Sequence, residues 1–393
     1  MPPMLSRRLL LAAALPATCP SLCTAATAAG APRATPAAPA VPIDAIDAID
    51  SRITPRPLDF PRDFGAHLGV RTEWWYATGT LRTAADETLG FQLTFFRSRT
   101  GLATQDAGRF APRQLLSAHA ALSDLRAGRQ RHAQRLARWN EDPAAPLAAA
   151  SVRDTDVFLG DWSFRREGGA GASRYRARLS DRDAGFAYEL DLNATQPLLL
   201  QGRAGFSQKG PDPSEASHYY SEPHLAVSGT LWRGERREAV QGRAWLDHEW
   251  SIAYLHPDAA GWDWIGMNLD DGGALMAFQI RRRDGSTMWA GGAFRPAGGA
   301  ARDFGPGEVM FTPGHTWQSP TSQARYPMEW TVQTPSGSFK VRAFMDAQEL
   351  DARNSTAAIY WEGLCELQDA GSGRRVGGGY LEMTGYASPL RLG

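Results

Sequence analysis

Period-two alternation of apolar and polar residues recurs in short runs from residue 58 onward: Leu89, Phe91, Leu93, Phe95; then Phe186, Tyr188, Leu190, Leu192; then Phe339, Val341, Ala343, Met345. Neighbouring side chains on a strand point to opposite faces, so each run predicts a strand with one apolar face. Gly and Asp cluster between the runs, in "DDGG" at 270–273, "RRDGS" at 282–286 and "TPSGS" at 334–338, which is hairpin punctuation. No long stretch carries the 3.6-residue period of an amphipathic helix. The expected class is all-β and antiparallel, and many short strands favour barrels or sandwiches.

The chain also runs through one pattern twice. "EWWYATGTL…LGFQLTFFR" resembles "WDWIGMNLDDGGALMAFQIRR", "YRARLSDRDAGFAYELDL" resembles "YPMEWTVQTPSGSFKVRAFM", and the hairpin "GTLWRGERREAVQGRAWLDHEW" resembles "GLCELQDAGSGRRVGGGYLEMTGY". The order is the same in both copies, which places one unit at 58–255 and a second at 256–393. Aligning the closing hairpins sets Trp245, Leu246 and Asp247 against Tyr380, Leu381 and Glu382, but His248 and Glu249 against Met383 and Thr384. The second copy shows what the shared scaffold needs there, so His248 and Glu249 are surplus to it. They lie where the first unit hands over to the second, and ligand sites favour such junctions.

Charge and the N-terminus narrow the partner. Forty-two Lys plus Arg balance forty-two Asp plus Glu, with no basic stripe to mark a nucleic-acid surface. A neutral or apolar partner is expected. "SRRLLLAAALP" sets Arg7 and Arg8 before a short apolar run, and "AATAAGAP" follows at cleavage-site distance. Residues 1–30 therefore predict an export signal, whose Ser-Arg-Arg order resembles the twin-arginine type, and a periplasmic or secreted destination. An Ala/Pro-rich linker is expected over 31–57. Beyond it nothing stays apolar for the ~18 residues a spanning helix needs. Cys19 and Cys23 fall in the signal, so Cys365 stands alone and stability must come from packing rather than an internal disulfide.

The candidate chemistry centres on "LDHEWS" at 246–251. On a strand Asp247 and Glu249 share one face, while His248 shares the other with Leu246 and Trp250. A carboxyl facing an apolar cavity stays protonated and can donate that proton. Glu73 in "EWWY" is a second candidate acid: alternation pairs it with Trp75, opposite Trp74 and Tyr76. Asp247, His248, Glu249 and Glu73 are the expected catalytic group. Trp74, Trp75, Tyr76, Tyr219, Tyr220, Trp250, Trp262, Asp263 and Trp264 are the expected ligand contacts. The plainer readings are a hydrogen-bond network at the junction for Asp247, His248 and Glu249, an indole N–H partner for Glu73, and wall positions for the aromatics. His119, Glu362 and Glu382 are wall residues first and ligand contacts second. "HYYSEPH", with His218, Glu222 and His224, matches no standard zinc spacing, and Ile252 stands where H-E-x-x-H needs its second His, so no metal is expected. "GFSQKG" has one residue too many for a nucleophile elbow. Nothing calls for a cofactor.

Together "FPRDFGAHLGVRTEWWYATGTL", "FQLTFFR", "KGPDPSEASHYYSEPHLAVSGTL", "AWLDHEWS", "GWDWIGMNLDDG", "ARYPMEW" and "GGGYLEMTGY" resemble the exported AttH-like proteins of the carotenoid 1,2-hydratase superfamily, over about 58–388. The resemblance implies two tandem lipocalin-like antiparallel β-barrels. It further implies an apolar or isoprenoid-like ligand, and either cofactor-free hydration of an isolated alkene or, as the alternative, a non-catalytic carrier working with the permease of an envelope ABC transporter.

Overall fold

The computed structural model describes residues 53–101, 112–139, 146–169, 171–252 and 255–390; the expected export signal and all but the last residues of the linker lie outside them. Among the described residues there is no α-helix, only a 3-10 turn at Arg62–Phe64, and the remaining elements are strands. The class is all-β and antiparallel, as the alternation predicts. Leu89, Phe91, Leu93 and Phe95 lie on the Thr88–Arg99 strand and are all buried on one face. The third run is shorter than its pattern: its strand is Gly337–Ala343, so Met345 falls past its end.

Two large sheets result. The first runs from the Thr72–Thr83 strand to the Arg236–Ser251 strand, and its edge strands, Arg129–Trp139 and Ala148–Ala150, approach each other to make a nearly closed barrel. The second runs from Ala259–Leu269 to Arg375–Met383, and its edge strands Arg302–Phe304 and Met310–Pro313 place Phe304 and Phe311 in one core. Each sheet thus wraps an apolar interior of its own.

A third apolar cluster lies between the sheets, where Tyr76, Tyr219 and Trp245 of the first meet Trp264, Phe278, Leu364 and Tyr380 of the second. In each sheet the first long strand pairs with the last. Thr72–Thr83 lies along Arg236–Ser251 with Trp74 opposite Glu249 and Tyr76 opposite Asp247, and Ala259–Leu269 lies along Arg375–Met383 with Trp264 opposite Glu382. These paired strands pack face to face. Consequently residues 75–79, 244–251 and 263–269 are buried on both faces, one against their own barrel core and one against the other sheet. Close approach needs small residues: a Cβ on Gly90 would sit 2.5 Å from the Tyr380 hydroxyl.

The Ala216–Arg233 strand carries a bulge at Pro223 and His224, where its register with Arg236–Ser251 shifts between Glu222 and Leu225. Proline lacks the N–H a ladder needs, and His224 takes a positive φ of 56°. The bend sends His224 to the second sheet, where its Nε2 lies 2.7 Å from the Gly273 carbonyl. It also splits the "HYYSEPH" constellation, because Glu222 instead accepts a hydrogen bond from the Tyr175 hydroxyl at 2.6 Å.

Candidate functional site between the barrels

Alternation fixes which side chains travel together, and the structure assigns each set its surroundings. Trp74, Tyr76, Asp247, Glu249, Tyr219, Trp262 and Trp264 line a cavity of about 450 Å³ between the two sheets. Glu73, Trp75, His248, Trp250 and Tyr220 point the other way, into the first barrel. Asp263 points into the second, 2.8 Å from Arg281 and 2.9 Å from the Tyr386 hydroxyl. The expected group therefore falls into three places, and Glu73 does not meet Asp247 and Glu249 in one cavity.

Glu73 is the centre of a buried polar cluster. Its carboxylate accepts hydrogen bonds from the Arg97 Nε at 2.8 Å and the His67 backbone N–H at 3.0 Å. The His67 Nδ1 lies 2.7 Å from it and the His248 Nε2 2.9 Å. Burial pushes the Glu73 carboxyl up, but the charges of Arg97 and His67 and the hydrogen bonds from both histidines hold it well below the usual carboxylate range. His67 also lies 3.0 Å from Asp63 and stacks on Trp250, with ring centroids 3.7 Å apart. Tyr220 holds the other His248 nitrogen at 3.1 Å. His67, Glu73 and His248 bring three ligating atoms within 4.8 Å of one another, which is close enough for a metal ion. The donor set fits a cation poorly, because Arg97 already supplies positive charge to Glu73 and both histidines already face its carboxylate. We read the cluster as a clamp that fixes the first two strands and the 63–67 segment.

The cavity face differs in its electrostatics. Asp247 accepts from the Tyr219 hydroxyl at 2.6 Å, the Ser221 hydroxyl at 2.5 Å and the Trp245 indole at 2.7 Å. Burial nevertheless raises its pKa to about 7 against those donors. Two residues further along the same face, Glu249 is ion-paired with Lys209 at 3.0 Å and accepts from Ser217. The Lys209 ammonium also sits over the rings of Phe278 and Tyr219, at 4.3 and 4.7 Å. The second sheet adds Glu362 and Glu382, directly opposite each other on neighbouring strands. Burial raises Glu382 to about 8, opposed by the Trp262 indole and reinforced by the charges of Asp247 and Glu249. Burial and the Glu382 charge hold Glu362 well above its ordinary value. Acids that keep their proton near neutral pH thus stand beside an ion-paired carboxylate in an aromatic enclosure, and such divergence separates proton donors from acceptors.

The sequence reading missed Lys209 and underweighted Glu362 and Glu382. One signal was available: the chain has only two lysines, Lys209 and Lys340, so a lysine here is a departure from its habitual arginine. Glu382 was also visible as the repeat partner of Asp247. His119, which the sequence placed in a wall, does reach the cavity. It is fully engaged between the Tyr360 and Ser355 hydroxyls, each 2.8 Å away.

The sequence profile of the AttH-like family matches residues 52–386. The chain belongs to the AttH-like family. This AttH-like chain is similar to a crystallised AttH protein from Nitrosomonas europaea, with 48% identity over 85% of this chain and 98% of that one and a TM-score of 0.77. It also shares its fold with kievitone hydratase from Nectria haematococca, at 17% identity over 80% of this chain and 89% of that one, with a TM-score of 0.63. No curated protein sequence matches it. The lipocalin-like architecture implied by the sequence motifs is therefore the one this AttH-like chain adopts.

Proposed function

We propose that the protein binds an apolar, isoprenoid-like molecule between its barrels and adds water to an isolated double bond. The observation that carries this reading is the placement of buried acids, whose surroundings favour the protonated form, among indole faces in one enclosure. Asp247, with Glu382 facing the same space, delivers a proton to one alkene carbon. The neighbouring carbon becomes cationic against the faces of Trp74, Trp262 and Trp264. A water molecule adds to that carbon, its released proton passes to the Glu249 carboxylate, and return of that proton to the acid closes the cycle. The net change is addition of one water, with no redox partner. His248 and Glu73, both expected from the sequence in the catalytic group, act here through the wall by fixing the strand that carries Asp247 and Glu249. The likeness in fold to kievitone hydratase supports a hydration chemistry.

A second reading is favoured by one feature: both Asp247 oxygens already accept hydrogen bonds, as they would in a wall that only binds. In that reading the protein is a carrier delivering its ligand to an envelope permease. Export from the cytoplasm belongs to both readings, and N-terminal sequencing of protein recovered from the periplasm tests it. Turnover separates the two. Purified protein is incubated with prenylated and isoprenoid alkenes and the products are weighed by mass spectrometry. Gain of one water, lost in Asp247→Asn and reduced in Glu249→Gln, is the expected result; binding without product in the unmodified protein would leave the carrier.

A further inference from the structure

Several buried polar atoms between the sheets have no hydrogen-bond partner, and four of them converge. The Tyr76 hydroxyl, the Thr78 hydroxyl, Gln92 Oε1 and Glu362 Oε1 make no hydrogen bond of ordinary length and angle, although Tyr76 stands within electrostatic reach of both Thr78 and Glu362. Tyr76 and Thr78 share a face of the Thr72–Thr83 strand, Gln92 lies directly opposite Thr78, and Glu362 faces them from the second sheet. Their residues are 1–5% exposed, and Tyr76 and Glu362 line the cavity wall. Leaving such atoms dry is costly, so a site of this kind calls for an occupant with matching polarity.

We propose that Tyr76 and Glu362 form a receptor for an uncharged oxygen group, a carbonyl or hydroxyl, on an otherwise apolar ligand. Directly opposite Glu382, Glu362 cannot ionise alongside it without placing two like charges on neighbouring buried strands, so the pair retains a proton that can be donated to the ligand oxygen. The Tyr76 hydroxyl supplies a second donor. A ligand carboxylate would have to give up its hydration in an aromatic enclosure where Lys209 is already paired with Glu249, and is disfavoured. The substrate class is thereby narrowed from hydrocarbons to oxygenated isoprenoids. This inference rests on the cavity being the binding site, as in the proposed function, but not on turnover.

Equilibrium dialysis of the whole protein against farnesol, farnesene and farnesoic acid, quantified by gas chromatography, tests it. Farnesol should bind on the order of 10-fold or more tighter than the other two, because the hydrocarbon leaves the receptor unpaired. Glu362→Leu and Tyr76→Phe should each erase the preference for farnesol over farnesene while keeping farnesene affinity, which also shows that the variants fold. Equal binding of farnesol and farnesene by the unmodified protein, or a preference that survives both substitutions, would overturn the receptor and leave the cavity reading intact. If none of the three binds, the cavity reading fails and the receptor with it.

Discussion

Replacing Glu73 by Gln distinguishes a structural clamp from a site residue. The substitution keeps shape and removes one charge, leaving Arg97, which is 0% exposed, with neutral acceptors among the described residues: the new amide oxygen, Gln114 Oε1 and the His67 and Val70 carbonyls. Breaking a buried ion pair from one side costs about 3–5 kcal/mol. At ~2.1 cal/mol/K per residue, a body of roughly 340 residues has an unfolding entropy of ~0.7 kcal/mol/K, so Tm should fall by about 4–7 °C at pH 7. The folded carboxyl is held below its unfolded value, so this stabilisation is complete above the unfolded pKa of about 4.3 and is lost as pH falls through the folded one. The gap between the two proteins should accordingly close in acid. Calorimetry between pH 3 and pH 8 measures it, alongside farnesol binding at a temperature where both are folded. An unchanged Tm together with lost binding would refute the clamp and return Glu73 to the ligand site.

The remaining expectations concern the cavity. Asp247 and Glu382 have folded pKa values raised to about 7 and 8, so they favour the folded state below their unfolded values and cost stability as pH rises toward the folded ones. Denaturant titrations should therefore show Glu382→Gln and Asp247→Asn flattening the decline in stability between pH 4 and pH 8; an unchanged pH slope contradicts the raised values. Hydration activity should fall on the alkaline side as these acids lose their protons, and a rate still rising past pH 9 would remove them as donors. Lys209→Met removes the cation paired with buried Glu249, so unfolding free energy should drop by about 3–5 kcal/mol, read from denaturant titration at pH 8; an unchanged midpoint contradicts the pair. Gly90→Val drives a side chain into Tyr380 and Leu364 and should cost about 1–3 kcal/mol, read as a shifted denaturation midpoint, with weaker ligand binding from the wedged sheets.

If Asp247 and Glu382 both contribute acid, the two halves of the repeat have kept equivalent carboxyls on one face each and turned those faces toward a common space. Specialisation then lies in what differs. Glu249 has its Lys209 partner in the first half, whereas Thr384 stands in its place in the second and binds backbone, its N–H donating to the Trp262 carbonyl.

By itself the sequence determined the strands, the antiparallel class and the partition of residues into faces, because the pleat makes side-chain direction a matter of counting by two. It separated Asp247 and Glu249 from His248, and Trp74 and Tyr76 from Glu73 and Trp75, before any contact was known. Only the tertiary structure decided which face met the cavity. In most sheets the apolar face marks the inside, but along 75–79 and 244–251 the Thr72–Thr83 and Arg236–Ser251 strands are buried on both faces, so hydrophobicity there carries no preference. The sheet that covers their second face comes from residues 259–383, and with it come Glu362 and Glu382, far away in the chain. Burial, reinforced by the Glu249 charge, is what raises Asp247, and the charge of Arg97 is what most strongly lowers Glu73. Two carboxyls alike in sequence are driven in opposite directions, Glu73 by a cross-strand arginine of its own sheet and Asp247 by the burial that the second sheet completes.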